Sequence, residues 1–405
     1  MVTTHQTARV NRRGAARWRE RQHPWIYRSD VIEPPHAEAG HVLVIDERNA
    51  PIGMALWSPS STISLRMLTH DERAIDDGFW HERIAAAVAY RNELAPPANA
   101  YRLVHGEGDG LPSLIVDRYD EWLVVQLLSA GLERHRDAIV AALRAHVDPA
   151  GILARNDAAV RDHERLPRDV ELLHGSVPEL VEVRENDVAY LAAPWTGQKT
   201  GAFLDQRENR ARAGELVGGR ALDCFSYHGS FALHLATRAT HVVAVDSSAD
   251  ALQRARENVE RNGFAIADDT GAASRGTRGG SVSFLEANVF DFLRAQEAAR
   301  ERYDTIVLDP PAFAKRKDAV ERALRGYKEI NLRAMRLLAP GGHLLTFSCS
   351  HHVSESAFRS MLEAAAADAG RPMRWIEARG QAADHPAIVQ IPESSYLKGA
   401  VLQAV

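Results

Sequence analysis

From about residue 196, the chain repeats one pattern five times: an apolar stretch of strand length, a short loop, and a segment with helical periodicity. Neighbouring parallel strands need a long connection, usually a helix, so this alternation predicts a parallel sheet flanked by helices with right-handed crossovers. Ligands of such sheets bind beyond the carboxyl ends of the strands. The strands are expected within RALDCFS (220–226), HVVAVDSS (241–248), SVSFLEANV (281–289), YDTIVLDPP (303–311) and HLLTFSCSHH (343–352).

Two segments with other patterns precede this α/β domain, which we place at residues 196–405. Residues 1–75 contain short apolar strands separated by turns, which predicts a small β-barrel module. Residues 76–195 combine helices near 76–95 and 132–146 with apolar strands, which predicts a central α+β domain. Residues 265–281 are rich in Gly, Ala, Ser and Thr and read as a surface insertion without an assigned function.

Composition restricts the class of protein and the compartment. The chain has 405 residues, 45% of them hydrophobic and 25% charged, as in ordinary globular proteins. No apolar run approaches the roughly 18–20 residues that span a membrane, and the N-terminus lacks the apolar segment of a secretory signal. Only two cysteines occur, and neither they nor the pair His351 and His352 has metal-ligand spacing. We therefore expect a cytoplasmic protein with no membrane partner and no metal, in which thiols stay reduced.

The charge distribution leaves RNA binding open. The formal net charge is −5, which argues against a protein that coats nucleic acid. The first 30 residues, however, have seven arginines and only two acids, Glu20 and Asp30. Such a patch can bind phosphates through counterion release, and the alternative is a solvated arm. The arginines are Arg9, Arg12, Arg13, Arg17, Arg19, Arg21 and Arg28.

The first two strands of the repeat indicate a nucleoside cofactor. The first ends at Asp223 and leads into a loop in which Gly229 permits close backbone approach. Asp246 ends the next strand, where a carboxylate can accept hydrogen bonds from both ribose hydroxyls. Because the loop lacks a GxGxxG pattern, a dinucleotide is disfavoured and S-adenosylmethionine, which has no phosphate, fits better. The alternative is an ordinary strand–turn–helix. The third strand ends near Asn288, whose side chain is expected to reach the adenine amino group.

The fourth strand ends in Asp309, Pro310 and Pro311. Because proline fixes φ and lacks an N–H donor, this sequence predicts a rigid turn that presents Asp309 above the sheet. Phe313 follows, in a position to stack on a planar ring. The combination indicates methyl transfer to a nucleobase, and the alternative is a turn that merely ends the strand.

The fifth strand contains Cys349, and we expect this residue to be a nucleophile. The apolar run ends at Phe347, so Cys349 lies at the mouth of the sheet, whereas Cys224 lies almost inside its own apolar run. Carbon 5 of a pyrimidine attacks a methyl group only after a thiolate has added to carbon 6. Methylation of an exocyclic amine needs no thiolate, so the role of Cys349 distinguishes the two reactions. The alternative is that Cys349 is a residue that only packs in the core.

Eight motifs follow one another along most of the chain. They are GEGDGLPSLIVDRY (106–119), GQKTGAFLDQRENR (197–210), ALDCFSYHGSFAL (221–233), VLDPPAFAK (307–315), GYKEINLRAMRLLAPGG (326–342), FSCSHHV (347–353), DHP (384–386) and YLK (396–398). In this order they resemble the motifs of the bacterial 23S rRNA cytosine-5 methyltransferase family. The resemblance implies an N-terminal PUA domain that helps to bind RNA, a central α+β domain and a C-terminal Rossmann-like class I methyltransferase domain. It is also compatible with a homodimer.

The resemblance also implies roles for single residues, with Cys349 and Asp309 catalytic. The residues implied for S-adenosylmethionine are Phe203, Asp205, Gln206 and Arg207 as a lid, Asp223, Phe225 and Gly229 in the loop, Asp246 at the ribose, Asn288 at the adenine, and Asp309. Those implied for the RNA are Lys199, Pro310, Phe313 and Lys315.

One departure from related enzymes leaves a step open. Other RNA cytosine-5 methyltransferases have a second cysteine before the motif proline, where this chain has Asp309. Another group must therefore remove the carbon 5 proton, and Glu355, His351 and Asp384 are candidates. The alternatives to 5-methylcytosine formation are 5-methyluridine formation, methylation of an exocyclic amine, and a non-catalytic RNA-binding or ribosome-assembly role.

Overall fold

The computed structural model describes residues 6–267, 276, 278–314 and 316–405, and these form two compact units. The first unit contains the described part of Met1–Val183 together with Ala192–Asp205 and Ala383–Ser395. The second contains Arg184–Leu191, the described part of Gln206–Ala382, and Tyr396–Val405. Both units thus combine separated stretches of chain. The division into three domains at residues 75 and 195 stays a prediction.

The first unit begins with six short strands and one helix. These are β1 (Thr7–Val10), α1 (Arg12–Arg19), β2 (Trp25–Tyr27), β3 (Val31–Glu33), β4 (Gly40–Ile45), β5 (Pro51–Trp57) and β6 (Ile63–Met67). The strands form one sheet in the order β2-β6-β5-β4-β1-β3. Along β4, Val42 and Val44 point into the core and alternate with more exposed residues, as expected of a sheet with one buried face.

The rest of the first unit is a five-stranded sheet with helices. Its elements are α2 (Asp77–Leu94), β7 (Ala100–His105), β8 (Leu114–Tyr119), β9 (Trp122–Leu127), α3 (Ala130–Glu133), α4 (Arg136–Val147), β10 (Gly151–Arg155), α5 (Val160–His163) and β11 (Val170–Gly175). The strand order is β11-β10-β9-β8-β7. The Asp76 carboxylate caps α2 by accepting from Phe79 N at 3.1 Å, and α2 ends before Pro96, close to the predicted limits. Met54 and Leu56 of β5 belong to the same apolar core as this sheet.

A short hairpin precedes the α/β part of the chain, which matches the predicted alternation. The elements are β12 (Val181–Glu185), β13 (Val188–Ala192), α6 (Arg207–Leu216), β14 (Arg220–Cys224), α7 (Ser230–Ala236), β15 (His241–Asp246), α8 (Ala249–Arg261), β16 (Phe264–Ile266), β17 (Arg278–Glu286), α9 (Val289–Ala298), β18 (Tyr303–Leu308), α10 (Val320–Leu337), β19 (Leu338–Ser348), α11 (Glu355–Ala369), β20 (Met373–Arg379) and β21 (Lys398–Ala404).

Eight of these strands form one sheet in the order β16-β17-β15-β14-β18-β19-β21-β20. The six strands from β16 to β19 in this order are parallel, and β21 is antiparallel to both of its neighbours. The apolar faces of α10 and α11 pack on the sheet through buried residues such as Tyr327, Ile330 and Phe358. This core fixes the positions of the strand ends.

The predicted insertion at 265–281 is wrong at both ends. Residues 265–266 belong to β16 and residues 278–281 to β17, and the two strands pair in parallel. Pairing at the edge of the sheet satisfies the backbone hydrogen-bonding groups of these Gly- and Ser-containing stretches. Their side chains do not alternate between apolar and polar, so the sequence contains no sign of strands here. Residues 268–275 and 277 lie outside the described residues.

Candidate active site

Four neighbouring parallel strands end at the same level of the sheet. Cys224 on β14 pairs with Val245 on β15 and with Leu308 on β18. Leu308 in turn pairs with Thr346 on β19. The loops after these strands therefore emerge side by side, at the edge where ligands of such sheets bind. The candidate residues on this edge are Asp246, Asp309 and Cys349.

The loop between β14 and α7 has an unusual backbone. Phe225, Tyr227 and Gly229 all have positive φ, at 63°, 51° and 81°. This region costs a residue with a side chain about 1–2 kcal/mol, and such strain concentrates at functional sites. A Cβ on Gly229 would lie 3.0 Å from the Cβ of Ala255, so the loop also packs too closely on α8 for a larger residue. The sequence pointed to Gly229 but not to the conformation of the two aromatic residues.

Asp246 is oriented by this loop. The backbone N–H of Tyr227 donates to Asp246 Oδ2 at 2.9 Å, and that of Ser248 donates to Oδ1 at 2.9 Å. The side chain is half-buried, and each carboxylate oxygen can accept a second hydrogen bond. Asp246 is therefore able to accept from a pair of hydroxyls.

Asp223 lies beneath the loop. Its side chain is 1% exposed, and Ser226 Oγ donates to its Oδ2 at 2.6 Å. Burial raises the pKa of Asp223 to about 7, and the negative charges of Asp309 and Asp246 act in the same direction, against the Ser226 hydrogen bond. Asp223 therefore titrates near neutral pH and supports the loop from inside the sheet.

A directed chain of hydrogen bonds ends on Asp309. Arg379 Nε donates to Asn209 Oδ1 at 3.0 Å, and Asn209 Nδ2 donates to Gln206 Oε1 at 2.6 Å. Gln206 Nε2 then donates to Asp309 Oδ1 at 2.8 Å. Because a guanidinium can only donate, Arg379 sets the direction of the whole chain. Asn209 and Arg379 were not among the predicted site residues.

Cys349 follows directly after β19 and is half-buried. Its Sγ lies 3.9 Å from the carbonyl oxygen of Pro310. The next residue, Ser350, joins the two loops, because its Oγ accepts from Ala314 N at 3.1 Å and lies 2.8 Å from the Tyr327 hydroxyl. Cys349 is thus held beside the turn that carries Asp309.

Phe313 lies within a group of aromatic rings. Its ring centroid is 4.6 Å from that of Tyr327, 5.9 Å from that of Phe290 and 6.4 Å from that of Phe225. The ring is half-buried, and its role in stacking on a base stays a prediction.

Comparison with known proteins identifies the family. A model of an S-adenosylmethionine-dependent methyltransferase family matches residues 101–391, and a PUA-like domain model matches residues 9–70. The chain belongs to this methyltransferase family. Its cofactor is therefore S-adenosylmethionine, and the predicted fold class, a Rossmann-like methyltransferase domain with a PUA-like N-terminal module, is confirmed.

Curated relatives match almost the whole methyltransferase. Proteins named Ribosomal RNA large subunit methyltransferase I from Shewanella amazonensis and Salmonella newport are 42% and 39% identical to it; both alignments cover 94% of this chain, and they cover 95% and 93% of the relatives. A solved structure of a candidate SAM-dependent methyltransferase from Streptococcus mutans superposes with a TM-score of 0.80. That alignment covers 98% of this chain and 100% of the other, at 19% identity, and shows the shared fold.

The strand-end residues of the methyltransferase fit this cofactor. Asp246 offers carboxylate oxygens for the ribose hydroxyls, and Gly229 leaves room for close approach to the loop. Asn288 is exposed, and its Oδ1 caps α9 by accepting from Phe290 N at 2.9 Å. The amide oxygen can accept a second hydrogen bond, so the expected contact with the adenine amino group would fall to Oδ1 and stays a prediction.

The predicted lid residues divide between the two units. Lys199, Phe203 and Asp205 belong to the first unit, where Lys199 Nζ lies 2.6 Å from Asp205 Oδ2 and 4.6 Å from the centre of the Phe203 ring. The charge of Lys199 is thus paired, which competes with the predicted contact to RNA. Gln206 and Arg207 belong to the second unit, and Arg207 is buried at the start of α6. Lys315 lies outside the described residues.

The candidates for the proton-abstracting base differ in their accessibility. His351 and Glu355 are exposed in the segment that follows Cys349. Asp384 belongs to the first unit, is fully buried, and accepts a hydrogen bond from Arg102 N at 2.8 Å. Full burial in a network that uses its carboxylate removes Asp384 from the candidates.

The basic N-terminal stretch carries less free charge than its composition indicates. Arg13 and Arg17 both pair with the buried Asp30. Arg9 pairs with Glu33 and Arg19 with Asp46. The acids that neutralise these arginines lie up to 27 residues away, which the local composition does not reveal.

Two further findings concern the described residues. In 6–267, 276, 278–314 and 316–405, no group of three or more His, Cys, Asp or Glu side chains could hold a metal ion. No helix in the same part of the chain is long and apolar enough to cross a membrane.

Proposed function

We propose that this methyltransferase forms 5-methylcytosine in large-subunit ribosomal RNA, with Cys349 as its nucleophile. The observation that carries the proposal is the half-buried Cys349 thiol at 3.9 Å from the Pro310 carbonyl, beside Asp309. The names of the curated relatives support ribosomal RNA as the substrate, and the PUA-like module supports RNA binding. Such a substrate places the enzyme in the cytoplasm.

Cys349 makes carbon 5 reactive. Its Sγ bonds to carbon 6 of the cytosine, and the electron pair of the carbon 5–carbon 6 double bond then becomes available at carbon 5. When bound, S-adenosylmethionine would supply the methyl group for carbon 5 by loss of its methyl–sulfur bond, which leaves S-adenosylhomocysteine. A target base must leave the RNA stack to lie between the loops that carry Cys349 and Asp309.

Asp309 stabilises the base while the adduct exists. Gln206 fixes the orientation of its carboxyl group, which is then able to hydrogen-bond the ring nitrogen N3 or the exocyclic amine of cytosine. A preorganised partner of this kind favours the charge redistribution on the ring without reorganising during the reaction.

Elimination completes the reaction. A base removes the proton from carbon 5, the electron pair restores the ring double bond, and the carbon 6–sulfur bond breaks to release the Cys349 thiolate. His351 and Glu355 are the remaining candidates from the sequence, since both are exposed in the segment after Cys349.

The primary experiment measures methyl transfer from labelled S-adenosylmethionine to unmodified large-subunit ribosomal RNA. Cys349→Ala should abolish product while calorimetry still detects cofactor binding. Cys224→Ala is the matched control, because Cys224 is fully buried in the core and its substitution should leave the reaction intact. Full activity in Cys349→Ala would overturn the proposal and favour methylation of an exocyclic amine.

A second experiment tests the covalent step directly. RNA that contains 5-fluorocytidine has no proton to remove at carbon 5, so the adduct should accumulate and migrate with the protein under denaturing conditions. The crosslink should form with the Cys224→Ala variant and be absent with Cys349→Ala. Mass spectrometry of nucleosides from the normal reaction then separates 5-methylcytidine from 5-methyluridine.

A further inference from the structure

Lys398 is buried beside the candidate nucleophile. It begins β21, where it lies opposite Ser348 in the antiparallel pair of β21 with β19. Its Nζ donates to the carbonyl oxygens of Ser350 at 2.9 Å and Tyr396 at 2.7 Å. Lys398 thus pairs with Ser348 through the strand register and binds Ser350 through its side chain, and these two residues flank Cys349 in the chain.

Burying the ammonium group of a lysine here costs folding free energy unless its charge stabilises a neighbouring group. Lysines usually extend their ammonium group to water, but Lys398 is 9% exposed. Burial lowers the pKa of Lys398, whereas negative charge on Cys349 and Glu355 raises it. Two of the three N–H donors of the ammonium bind carbonyl oxygens, and among the described residues no acceptor takes the third.

We propose that Lys398 is a positioning residue that stabilises the thiolate of Cys349, so that more of the nucleophile is ionised at neutral pH. The inference rests on the proposed function, since only a nucleophilic Cys349 needs such a partner. A neighbouring cation favours the thiolate over the thiol by direct Coulombic attraction, which is strongest where water is excluded.

Other charged or titratable groups face Cys349 from neighbouring elements. Tyr327 of α10 contributes a hydroxyl whose pKa is raised by burial, so it remains neutral beside the thiolate. Glu355 at the start of α11 is exposed and opposes ionisation of Cys349, though solvent screens it. Asp309, on the loop after β18, also opposes ionisation of Cys349. His351, two residues after Cys349, is exposed to solvent. The buried ammonium of Lys398 is therefore the group that lowers the free energy of forming the Cys349 thiolate.

The test measures the thiol itself rather than methyl transfer. The full-length protein is alkylated with iodoacetamide between pH 5 and 10, and the modification of Cys349 is followed by mass spectrometry. Cys224 is fully buried, and a Cys349→Ala sample provides the blank. In Lys398→Met the midpoint of the alkylation profile should rise by about one pH unit, which lowers the rate at pH 7 about tenfold.

Three further variants separate charge from structure. Lys398→Arg keeps the charge and should restore most of the native profile. Lys398→Gln keeps a donor for the two carbonyls without the charge, and should behave like Lys398→Met even if the methionine variant folds poorly. Lys328→Met is the matched control, because Lys328 is paired with Asp368 on the surface of α10 and α11.

The result that would overturn the inference is an unchanged alkylation profile in Lys398→Gln with a native melting curve. That outcome is independent of the proposed function, because it is read without RNA or cofactor. Conversely, methyl transfer by Cys349→Ala would refute the proposed function whatever the alkylation profile shows.

Discussion

Gln206 Nε2 donates a hydrogen bond to Asp309 Oδ1 at 2.8 Å, which joins the residue before α6 to the turn after β18. Gln206 is 3% exposed, so this bond is shielded from water. Because Asn209 occupies Gln206 Oε1, the amide cannot rotate to present its oxygen to the carboxylate. The orientation of Asp309 therefore depends on Gln206 and, through Gln206, on Asn209 and Arg379.

Gln206→Leu should lower kcat for methyl transfer by about tenfold or more. A hydrogen bond to a charged group contributes about 1.5–3 kcal/mol, and each 1.4 kcal/mol is a factor of ten in rate. The measurement is single-turnover methyl transfer with saturating cofactor. Gln253→Leu on the exposed face of α8 makes the same chemical change away from the site, and it should retain the native rate. A native rate in Gln206→Leu would show that Asp309 needs no orientation.

Asn209→Leu should also lower kcat, because Asn209 holds the amide of Gln206, and it should have no other route to Asp309. Without the Asn209 donor, Gln206 Oε1 loses its hydrogen bond, and the amide is held less firmly in the orientation that donates to Asp309. The double variant Gln206→Leu with Asn209→Leu should lose no more activity than Gln206→Leu, since residues in one network are not additive. Losses that multiply in the double variant would mean that Asn209 acts by another route.

Ser350→Ala should destabilise the protein by about 1–3 kcal/mol, the cost of leaving a buried polar group without a partner. Ser350 Oγ accepts from Ala314 N and contacts the Tyr327 hydroxyl, and it is fully buried. Tyr327→Phe removes one of these two contacts and should cost less. Urea unfolding measures both, and equal losses would argue against a joint role for Ser350 in the two loops.

Arg210→Met should destabilise the protein by about 3–5 kcal/mol, because it leaves Glu185 as a buried charge without its partner. Both side chains are 1% exposed, and the Arg210 guanidinium donates to both carboxylate oxygens of Glu185. Burial alone would raise the pKa of Glu185, but Arg210 lowers it below its usual range. The pair therefore stabilises the fold above the usual pKa of glutamate, and this stability is lost as the pH falls.

The matched control for Arg210→Met is Arg359→Met, which breaks an exposed pair with Glu363 on α11. Exposed pairs contribute about 0–1 kcal/mol, so the change in unfolding free energy should be small. If both substitutions cost the same, the buried pair has no special role. Replacing Glu185 and Arg210 together by methionine should restore part of the loss.

Asp223→Asn should remove one component of the pH dependence of stability. The folded pKa of Asp223, about 7, lies above the unfolded value, so its favourable contribution is complete below about pH 4 and is lost as the pH rises to 7 and above. The native protein should therefore lose up to about 4 kcal/mol relative to the variant over this window. Urea unfolding at several pH values measures the difference. Asp250→Asn, on the exposed start of α8, is the control for the chemical change and should alter the unfolding free energy by no more than about 0.5 kcal/mol.

The sequence was sufficient to predict that three of the candidate site residues lie where a strand ends. Asp246, Asp309 and Cys349 each follow an apolar run, and the carboxyl ends of parallel strands necessarily meet at one edge. The succession of strands along the chain and the four helices between them, α7 to α10, follow from the same alternation. Short-range patterns of apolar and polar residues carry this information.

The supporting residues could not be predicted in this way. Arg379 contacts Asn209 from 170 positions away, and Lys398 contacts Ser350 from 48 positions away. Such contacts depend on how β20 and β21 add to the sheet in antiparallel orientation. The positive φ of Tyr227 has no signal in the sequence, because an aromatic residue normally avoids that conformation. The pairing of Arg9 with Glu33 and of Arg19 with Asp46 was hidden because these acids lie outside the first 30 residues.

The strand order β19-β21-β20 has a consequence for synthesis of the chain. β20 leaves the ribosome before β21, which lies between β19 and β20 in the finished sheet. Until β21 arrives, β19 and β20 each have an unpaired edge in the nascent protein. During that interval Lys398 has not yet reached Cys349. If Lys398 stabilises the Cys349 thiolate as proposed, this stabilisation begins only when β21 inserts, so a chain that has not yet added β21 should expose an ordinary thiol, less reactive towards oxidants and electrophiles than that of the finished protein.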